Sequence, residues 1–200
     1  MTEVSSLTGR LLVATPALAD PNFDRAVVLL LDHDEEGSLG VVLNRPTPVE
    51  VADILEGWGE LAGAPGVVFQ GGPVSLDSAL GIAVIPGDEG APRAGARSRA
   101  GREDPVGFRR VHGAIGLVDL EAPPELLASA LGSLRIFAGY SGWGPGQLEN
   151  ELEDGAWYVV ESEPGDVSSP DPERLWRAVL RRQRSELAMV ATYPDDPSLN

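Results

Sequence analysis

Two uninterrupted apolar segments, Ala26–Leu31 and Leu39–Leu43, limit most strongly what this chain can fold into. They are rich in valine and leucine and lack the apolar–polar alternation of a strand with one face in water, so they predict two strands buried on both faces. The polar segment Asp32–Ser38 between them is predicted as a hairpin loop, and Asn44–Pro46 ends the hairpin. Further layers of structure must cover both faces of these strands. A chain of 200 residues is long enough for one well-buried domain and short for two.

The rest of the chain mixes short strands and helices without a regular strand–helix–strand rhythm. Thr47 and Glu50 have the spacing of a capping box, with Pro48 at the first helical position, which predicts a helix ending near Trp58. Further strands are predicted over Arg10–Ala14, Gly66–Gln70, Leu80–Ile85, Phe108–Leu120, Leu134–Tyr140 and Trp157–Glu161, and further helices over 123–131, 147–153 and 172–190. This mixture predicts a single α+β domain.

Two residue types are absent from the sequence, and their absence excludes several kinds of chemistry. Without cysteine the chain has no disulfide, thiolate nucleophile, iron–sulfur cluster or cysteine zinc site. Without lysine, Schiff-base catalysis and the phosphate-binding P-loop are excluded. His33 and His112 are the only histidines, so a zinc site with three histidines cannot form. We therefore predict neither a cofactor nor a metal ion.

The net charge of −16 at neutral pH narrows the range of partners. A body of this charge repels nucleic acid and anionic membranes at long range, so nucleic-acid binding is not expected outside local arginine clusters. No apolar run approaches the roughly 18 residues of a membrane-spanning helix. Residues 1–6 lack the basic and apolar regions of a signal peptide. The sequence predicts a cytoplasmic protein without a membrane partner.

Residues 87–102 differ in composition from the rest of the chain. They consist of glycine, alanine, proline, serine, arginine and acidic residues, with no apolar periodicity. Such a segment cannot bury enough apolar surface to offset its ordering entropy, so we predict an exposed, mobile loop with an insertion at about 89–104. Six arginines occur over 93–110 without interleaved aromatic residues, which is a weak signal for nucleic-acid binding.

The acidic segment Asp32–Gly37 begins like a calcium-binding loop, with aspartates at its first and third positions and glycine at its sixth. The match fails at the twelfth position, where Leu43 replaces the bidentate glutamate. His33 within this segment is a candidate ligand-binding or acid–base residue. The alternative interpretation is a hairpin residue that forms hydrogen bonds within its own loop.

The segment Gly139–Gln147 is rich in glycine and joins a predicted strand to a predicted helix. Ser141 follows Gly139 as in a serine nucleophile elbow, but Trp143 occupies the place of the second glycine. A glycine-rich turn at the start of a helix offers free N–H groups to an anion, so ligand binding is one interpretation. The other interpretation is structural, with the glycines allowing a tight turn while Trp143 fills the core.

The last predicted helix carries an arginine stripe, because Arg174, Arg177, Arg181 and Arg184 recur every three or four residues. One interpretation is a surface for a phosphate-rich or acidic partner. The other is a solvated face that pairs with the acidic residues of the protein itself.

Several motifs occur in order along nearly the whole chain: GRLLVATP over residues 9–16, DPNFDR over 20–25, HDEEGSLGVVLNRP over 33–46, GGPV over 71–74 and GYSGWGPGQLE over 139–149. As an ordered set they resemble the YqgE/AlgH family of small bacterial proteins. The resemblance implies a compact α+β fold with a small barrel-like sheet core flanked by helices. The molecular activity of the family is not established, and its transcriptional-regulator label comes from a proposed role in exopolysaccharide production. The family has no agreed catalytic residues, so the resemblance assigns none.

Three functional hypotheses follow from these observations. The first is a cytoplasmic, non-enzymatic binding or regulatory protein, in which Arg45 counters a small anionic ligand or a protein partner occupies the site. Its candidate ligand-binding residues are His33, Asn44, Arg45, Ser141, Gly142, Trp143, Gly144, Gly146 and Gln147. The second is a hydrolase or transferase acting on a phosphorylated small molecule, with His33 or Glu149 as the acid–base group. The third is a DNA-binding transcriptional regulator that uses the arginine stripe.

Deleting residues 89–104 should leave the thermal melting of the protein nearly unchanged, because an exposed loop contributes little to the core. Calorimetry of the full chain and of the deletion variant measures this. A fall in Tm of more than about 4 °C, which corresponds to roughly 1 kcal/mol for a domain of this size, would contradict the loop assignment.

Overall fold

The computed structural model describes residues 6–192 except for Ala19, Asn22, 86–104 and Ser185. The strands are Arg10–Ala14 (β1), Val27–Asp34 (β2), Gly37–Val42 (β3), Pro46–Glu50 (β4), Val67–Gln70 (β5), Val74–Val84 (β6), Phe108–His112 (β7), Ile115–Val118 (β8), Ser133–Trp143 (β9) and Trp157–Glu161 (β10). The helices are Val51–Ile54 (α1), Pro124–Leu127 (α2), Gln147–Glu153 (α3), Pro164–Val167 (α4), Leu175–Arg181 (α5) and Leu187–Val190 (α6), and a 3-10 turn over Pro172–Arg174 leads into α5. The predicted insertion at about 89–104 lies outside the described residues.

These strands form one curled sheet, a half-barrel flanked by the helices. The strand order is β10-β1-β2-β3-β9-β6-β8-β7, with β5 beside β9 and β4 beside β5. Among the described strands every pairing is antiparallel except that of β5 with β9. The predicted α+β class and barrel-like core are therefore confirmed. Within the same residues no helix is long and apolar enough to cross a membrane.

Strand β9 joins the two halves of the sheet. Its residues 133–138 pair with β6, whereas its residues 141–143 pair with β3. Gly139 lies between these two stretches with φ +73°. This backbone conformation is energetically unfavourable for a residue with a side chain. A Cβ atom at Gly139 would also lie 2.6 Å from the Gly72 carbonyl oxygen. Glycine at this position lets one strand serve both halves.

The first hairpin is buried on both faces, as its apolar segments predict. On one face Leu29 and Val41 belong to a core cluster that includes residues of α5. On the other face Val28 and Val42 belong to a cluster that includes Leu148 of α3. A third cluster lies between the β6–β9 half of the sheet and helices α1 and α2.

The predicted hairpin loop Asp32–Ser38 is wrong, because the two strands continue through it. Asp32 pairs with Leu39, His33 with Ser38 and Asp34 with Gly37, so only two residues make the turn. Asp32 and Asp34 point to solvent while His33 between them is buried. This alternation is that of a strand with one face in water, and the acidic composition concealed it.

The predicted helix from Thr47 to Trp58 is also mostly wrong. Residues Pro46–Glu50 form β4, and α1 spans only four residues. The Thr47 hydroxyl donates a hydrogen bond to the Val68 carbonyl oxygen at 2.6 Å instead of capping a helix. These residues therefore form a strand that pairs with β5, although the local capping signal favours a helix.

The predicted helix over 172–190 is interrupted between α5 and α6. Arg182 follows α5, and its guanidinium donates to both carboxylate oxygens of Asp166 at 2.5 and 2.7 Å. The Gln183 amide donates to the Val179 carbonyl oxygen at 2.8 Å, which satisfies a carbonyl of the last helical turn. The tertiary ion pair of Arg182 and the local cap by Gln183 end the helix where the sequence pattern continues.

Other differences concern element lengths. The predicted helix over 123–131 shortens to α2, and the predicted strand Phe108–Leu120 divides into β7 and β8. The predicted strand Leu80–Ile85 is longer in the structure and begins at Val74. The predicted strand Leu134–Tyr140 likewise extends to Trp143, into the predicted glycine-rich loop.

Replacing Gly72 by alanine should lower the free energy of unfolding by about 1–3 kcal/mol. A Cβ atom at Gly72 would lie 2.2 Å from the Tyr140 carbonyl oxygen, so the backbone between β5 and β6 would have to move. Gly66→Ala is the matched control, because a Cβ there meets nothing within 4 Å. Urea unfolding compares the two variants, and equal stabilities would show that this close approach is unimportant.

Candidate functional site

A groove with a cavity volume of about 1130 Å³ opens between α5 and the loops at one end of the half-barrel. We call it the arginine groove, because Arg25, Arg45, Arg174, Arg177 and Arg181 line it. The other lining residues are Pro21, Asp24, Asn44, Pro46, Ser169, Asp171, Glu173, Trp176 and Ala178. Five arginines against three acidic residues give the lining a net positive charge on a chain of charge −16.

Trp176 organises the arginine groove. Its indole N–H donates a hydrogen bond to the Ala14 carbonyl oxygen at 2.8 Å, which fixes the ring at the end of β1. The Arg25 guanidinium lies 4.8 Å from the centre of the ring and that of Arg177 lies 5.7 Å from it. Cation–π contacts of this kind position a guanidinium, and the ring contributes no net charge that would cancel it.

Asn44 holds the loop that carries Arg25. The Asn44 side-chain oxygen accepts from the Val27 N–H at 3.0 Å, and its amide nitrogen donates to the Arg25 carbonyl oxygen at 2.9 Å. Arg25 has φ +55°, which is uncommon for a residue with a side chain. The clamp by Asn44 sustains this conformation, and such strained residues concentrate at functional sites.

Arg45 lies on the opposite wall from α5. Its guanidinium donates to the Asp24 carbonyl oxygen, and its own carbonyl oxygen accepts from the Gln70 N–H at 2.8 Å. Burial lowers the pKa of Arg45, and the nearby Asp24 carboxylate opposes part of this shift. The side chain is therefore both partly desolvated and held in place.

A buried arginine lies behind the wall of the arginine groove at Ser169. Arg135 is only 2% exposed, and it donates to the carbonyl oxygens of Ala64 and Ser169 at 3.0 and 2.8 Å. Its Nε and Nη1 atoms are buried and make no hydrogen bond with the described residues. Burial lowers the pKa of Arg135 to about 10, so the guanidinium is still charged at neutral pH. This charge adds to the positive potential near the groove.

A β-bulge turns His33 towards α3. The bulge lies between Leu30 and Asp32 of β2 and shifts the alternation of side chains by one residue, so His33 is buried opposite Ser38. His33 Nδ1 lies 2.6 Å from the Ser38 hydroxyl and Nε2 lies 3.4 Å from a carboxylate oxygen of Glu149, whose side chain is 42% exposed. This contact with Ser38 is the hydrogen bond within the hairpin that the alternative interpretation of His33 predicts.

The first part of the glycine-rich segment belongs to the sheet. Ser141, Gly142 and Trp143 pair with β3. Ser141 is buried and its hydroxyl donates to the Gly71 carbonyl oxygen at 3.2 Å. Trp143 is buried in the cluster beneath α3. The structural interpretation therefore accounts for these side chains.

The second part of that segment closes on itself. The Gly144 N–H donates to the side-chain oxygen of Gln147 at 3.0 Å, and the Gln147 N–H donates to the Gly144 carbonyl oxygen at 3.0 Å. Gly146 immediately precedes α3, which has only seven residues. The Gly144 N–H, which the sequence interpretation leaves for an anion, thus already has an acceptor.

The predicted site residues divide into two groups. Asn44 and Arg45 line the arginine groove, whereas His33, Trp143 and Gln147 lie near α3 at the other end of β3. Asn44 lies six positions after Ser38 in the chain, a distance of about 20 Å when extended. Within the described part of the chain, no group of three or more histidine, aspartate or glutamate residues is arranged to hold a metal ion.

The sequence interpretation missed Arg25 and the meeting of Arg45 with the arginine stripe. Arg174, Arg177 and Arg181 line the groove, but Arg184 is exposed outside it. The periodicity of the stripe is visible in the sequence. Its position beside Arg45 is not, because that position depends on how α5 packs against the sheet.

The matches to known proteins identify the family. A family model described as AlgH-like matches residues 11–188. A UPF0301 protein of Streptomyces avermitilis is 86% identical over 200 residues, covering 100% of this chain and 98% of the relative. The crystal structure of protein DIP2367 from Corynebacterium diphtheriae has a TM-score of 0.80 at 30% identity, covering 93% of this chain and 92% of that one. The solution structure of the AlgH protein from Pseudomonas aeruginosa has a TM-score of 0.64 at 26% identity, covering 98% of each chain.

This chain therefore belongs to the AlgH-like family of bacterial proteins, which has no established activity. The resemblance to the YqgE/AlgH family, based on the ordered motifs, is confirmed.

Helix α3 carries a carboxylate in an unfavourable environment beside the buried aromatic rings. Burial raises the pKa of Glu151, and the indole groups of Trp157 and Trp143 offset part of the shift. The two rings pack edge to face with their centres 6.2 Å apart. The charged form of Glu151 is thus disfavoured in the folded protein.

Replacing Glu151 by glutamine should raise Tm at pH 7. A pKa raised by folding means that the folded state holds the proton more tightly than the unfolded chain, so the charged wild type is penalised at high pH and regains stability as the pH falls. The Tm advantage of Glu151→Gln should therefore shrink between pH 7 and about pH 4, near the ordinary pKa of glutamate. Thermal melts across this range measure it.

Glu153→Gln removes an exposed carboxylate from the same helix and is the matched control. It should show no such trend with pH. A Tm difference for Glu151→Gln that stays constant from pH 7 to pH 4 would contradict the assigned shift.

Proposed function

We propose that this protein is a cytoplasmic, non-enzymatic binding protein and that the arginine groove binds a small phosphorylated anion. The observation that carries the proposal is the gathering of Arg25 and Arg177 on the anchored ring of Trp176. Arg45 and Arg181 face the same space. The five arginines outnumber the three acidic lining residues, so the groove has a net positive charge, and the planar guanidinium suits phosphate oxygens in pairs.

The size and electrostatics of the groove agree with this proposal. A volume of about 1130 Å³ is comparable with the largest ordinary small-molecule pockets, which reach about 1,000 Å³. The chain as a whole is negative, so the positive lining of the groove is a local site of attraction for an anion. Asp24, Asp171 and Glu173 also line the groove and repel a long polyanion, which supports a compact ligand over DNA.

The enzyme hypothesis retains one favourable contact, the placement of His33 between Ser38 and Glu149. That cluster lies at the opposite end of β3 from the arginine groove. A ligand bound by the arginines would be out of its reach, so we propose binding rather than catalysis.

Replacing Arg181 by glutamine should weaken binding of inorganic pyrophosphate about tenfold, or ~1.4 kcal/mol, because one charged contact is lost. Isothermal titration calorimetry of the full chain at low salt measures the affinity. Binding should also weaken as salt is added, since exposed charges are screened.

Arg184→Gln is the matched control, because it removes the same charge from the same stripe outside the groove. It should change the affinity less than twofold. Absence of pyrophosphate binding, or equal losses in the two variants, would overturn the assignment of the groove. Retention of a DNA duplex at low salt with loss in Arg181→Gln would favour the regulator hypothesis instead.

A further inference from the structure

A second, smaller cleft adjoins the arginine groove. Its cavity volume is about 90 Å³ and its lining residues are Pro21, Val42, Arg45, Gln70, Gly72 and Pro73. Pro21 and Arg45 line both spaces, so a ligand held by Arg45 can reach into the cleft. We call this space the glutamine cleft.

Backbone hydrogen bonds fix the walls of the glutamine cleft. The Gln70 N–H donates to the Arg45 carbonyl oxygen and the Val42 N–H donates to the Gly71 carbonyl oxygen, both at 2.8 Å. Gly72 packs so closely on the backbone of Tyr140 that no side chain fits there. The cleft is therefore formed in advance, which reduces the entropy that binding would cost.

The chemistry of the glutamine cleft differs from that of the arginine groove. No acidic residue lines it, and Arg45 is its only charged lining residue. The exposed Gln70 side chain makes no hydrogen bond within the described residues, and its amide can both donate and accept. The rings of Pro21 and Pro73 offer apolar surface for carbon atoms. A neutral group that carries hydroxyls on a short carbon chain fits such a lining.

The volume limits how large this group can be. An engineered cavity of about 150 Å³ binds one benzene ring, so a cleft of about 90 Å³ is smaller than a six-membered ring requires. A chain of about three carbons with its hydroxyls is of this size, whereas a nucleobase or a sugar ring is too large.

We infer that the ligand is a phosphate ester of a short polyol, with its phosphate on Arg45 in the arginine groove and its hydroxyls on Gln70 in the glutamine cleft. This inference rests on the proposed function and adds the chemical class of the ligand. Arg45 at the boundary contacts the phosphate from the side shared by both spaces. Gln70 is the specificity-determining residue because it distinguishes a polyol ester from other phosphates.

Calorimetry of the full chain with methyl phosphate and with glycerol 3-phosphate tests the inference, since both are monoesters of the same charge. One or two additional neutral hydrogen bonds should make glycerol 3-phosphate bind about five- to tenfold more tightly. Gln70→Leu keeps the approximate size of the side chain and should remove this preference while leaving the affinity for methyl phosphate unchanged. Because Gln70 is exposed, the variant is expected to fold.

Asn150→Leu removes another exposed side-chain amide, on α3 and away from the glutamine cleft, and as the control it should retain the preference. Equal binding of the two esters by the wild type, or a preference that survives in Gln70→Leu, overturns the inference. If pyrophosphate still binds in that case, the proposed function stands alone. If pyrophosphate does not bind, both fail.

Vesicles of phosphatidylglycerol distinguish a free ester from a lipid headgroup, because both present glycerol joined to phosphate. The net charge of −16 repels an anionic bilayer, so the protein should stay in the supernatant when the vesicles are sedimented. Sedimentation with the vesicles, together with no binding of the soluble ester, would overturn the assignment to a free ester.

Discussion

The hydrogen bond from the Trp176 indole to the Ala14 carbonyl oxygen connects the helical layer to the sheet. Ala14 is the last residue of β1, and its carbonyl is buried. The bond satisfies that carbonyl and sets both the position and the rotation of α5. The arginines on α5 therefore face Asn44 and Arg45 across the groove. Without this anchor the same arginine stripe would be an ordinary solvated helix face.

Much of the fold could be predicted because a run of apolar residues indicates a buried strand without information from the rest of the chain. Strands β1, β5 and β10 and helix α3 lie where hydrophobic patterning placed them, within one residue. The predictions failed where polar residues occupy a strand, as at Asp32–Asp34, or where a local capping signal competes with strand pairing, as at Thr47. In both cases pairing with a neighbouring strand outweighs the local preference.

The candidate site could be predicted only in parts. Arg45 and the stripe from Arg174 to Arg181 stand out in the sequence, but their meeting depends on the packing of α5. His33 stands out as well, yet a one-residue bulge decides which face of the sheet it joins. Arg135 gives no signal in the sequence, because a single arginine in an apolar strand does not show that its guanidinium will be buried against two backbone carbonyls.

The place of β9 between the two halves of the half-barrel has a consequence for synthesis on the ribosome. Ser38 of β3 pairs with Trp143, more than one hundred residues later in the chain. The edge of β3 therefore stays unpaired until β9 has been synthesised. At about 5–20 residues per second this takes several seconds or more. During that interval an apolar strand edge is exposed to other nascent chains. Closing so long a loop also costs conformational entropy, which slows the pairing of β3 with β9.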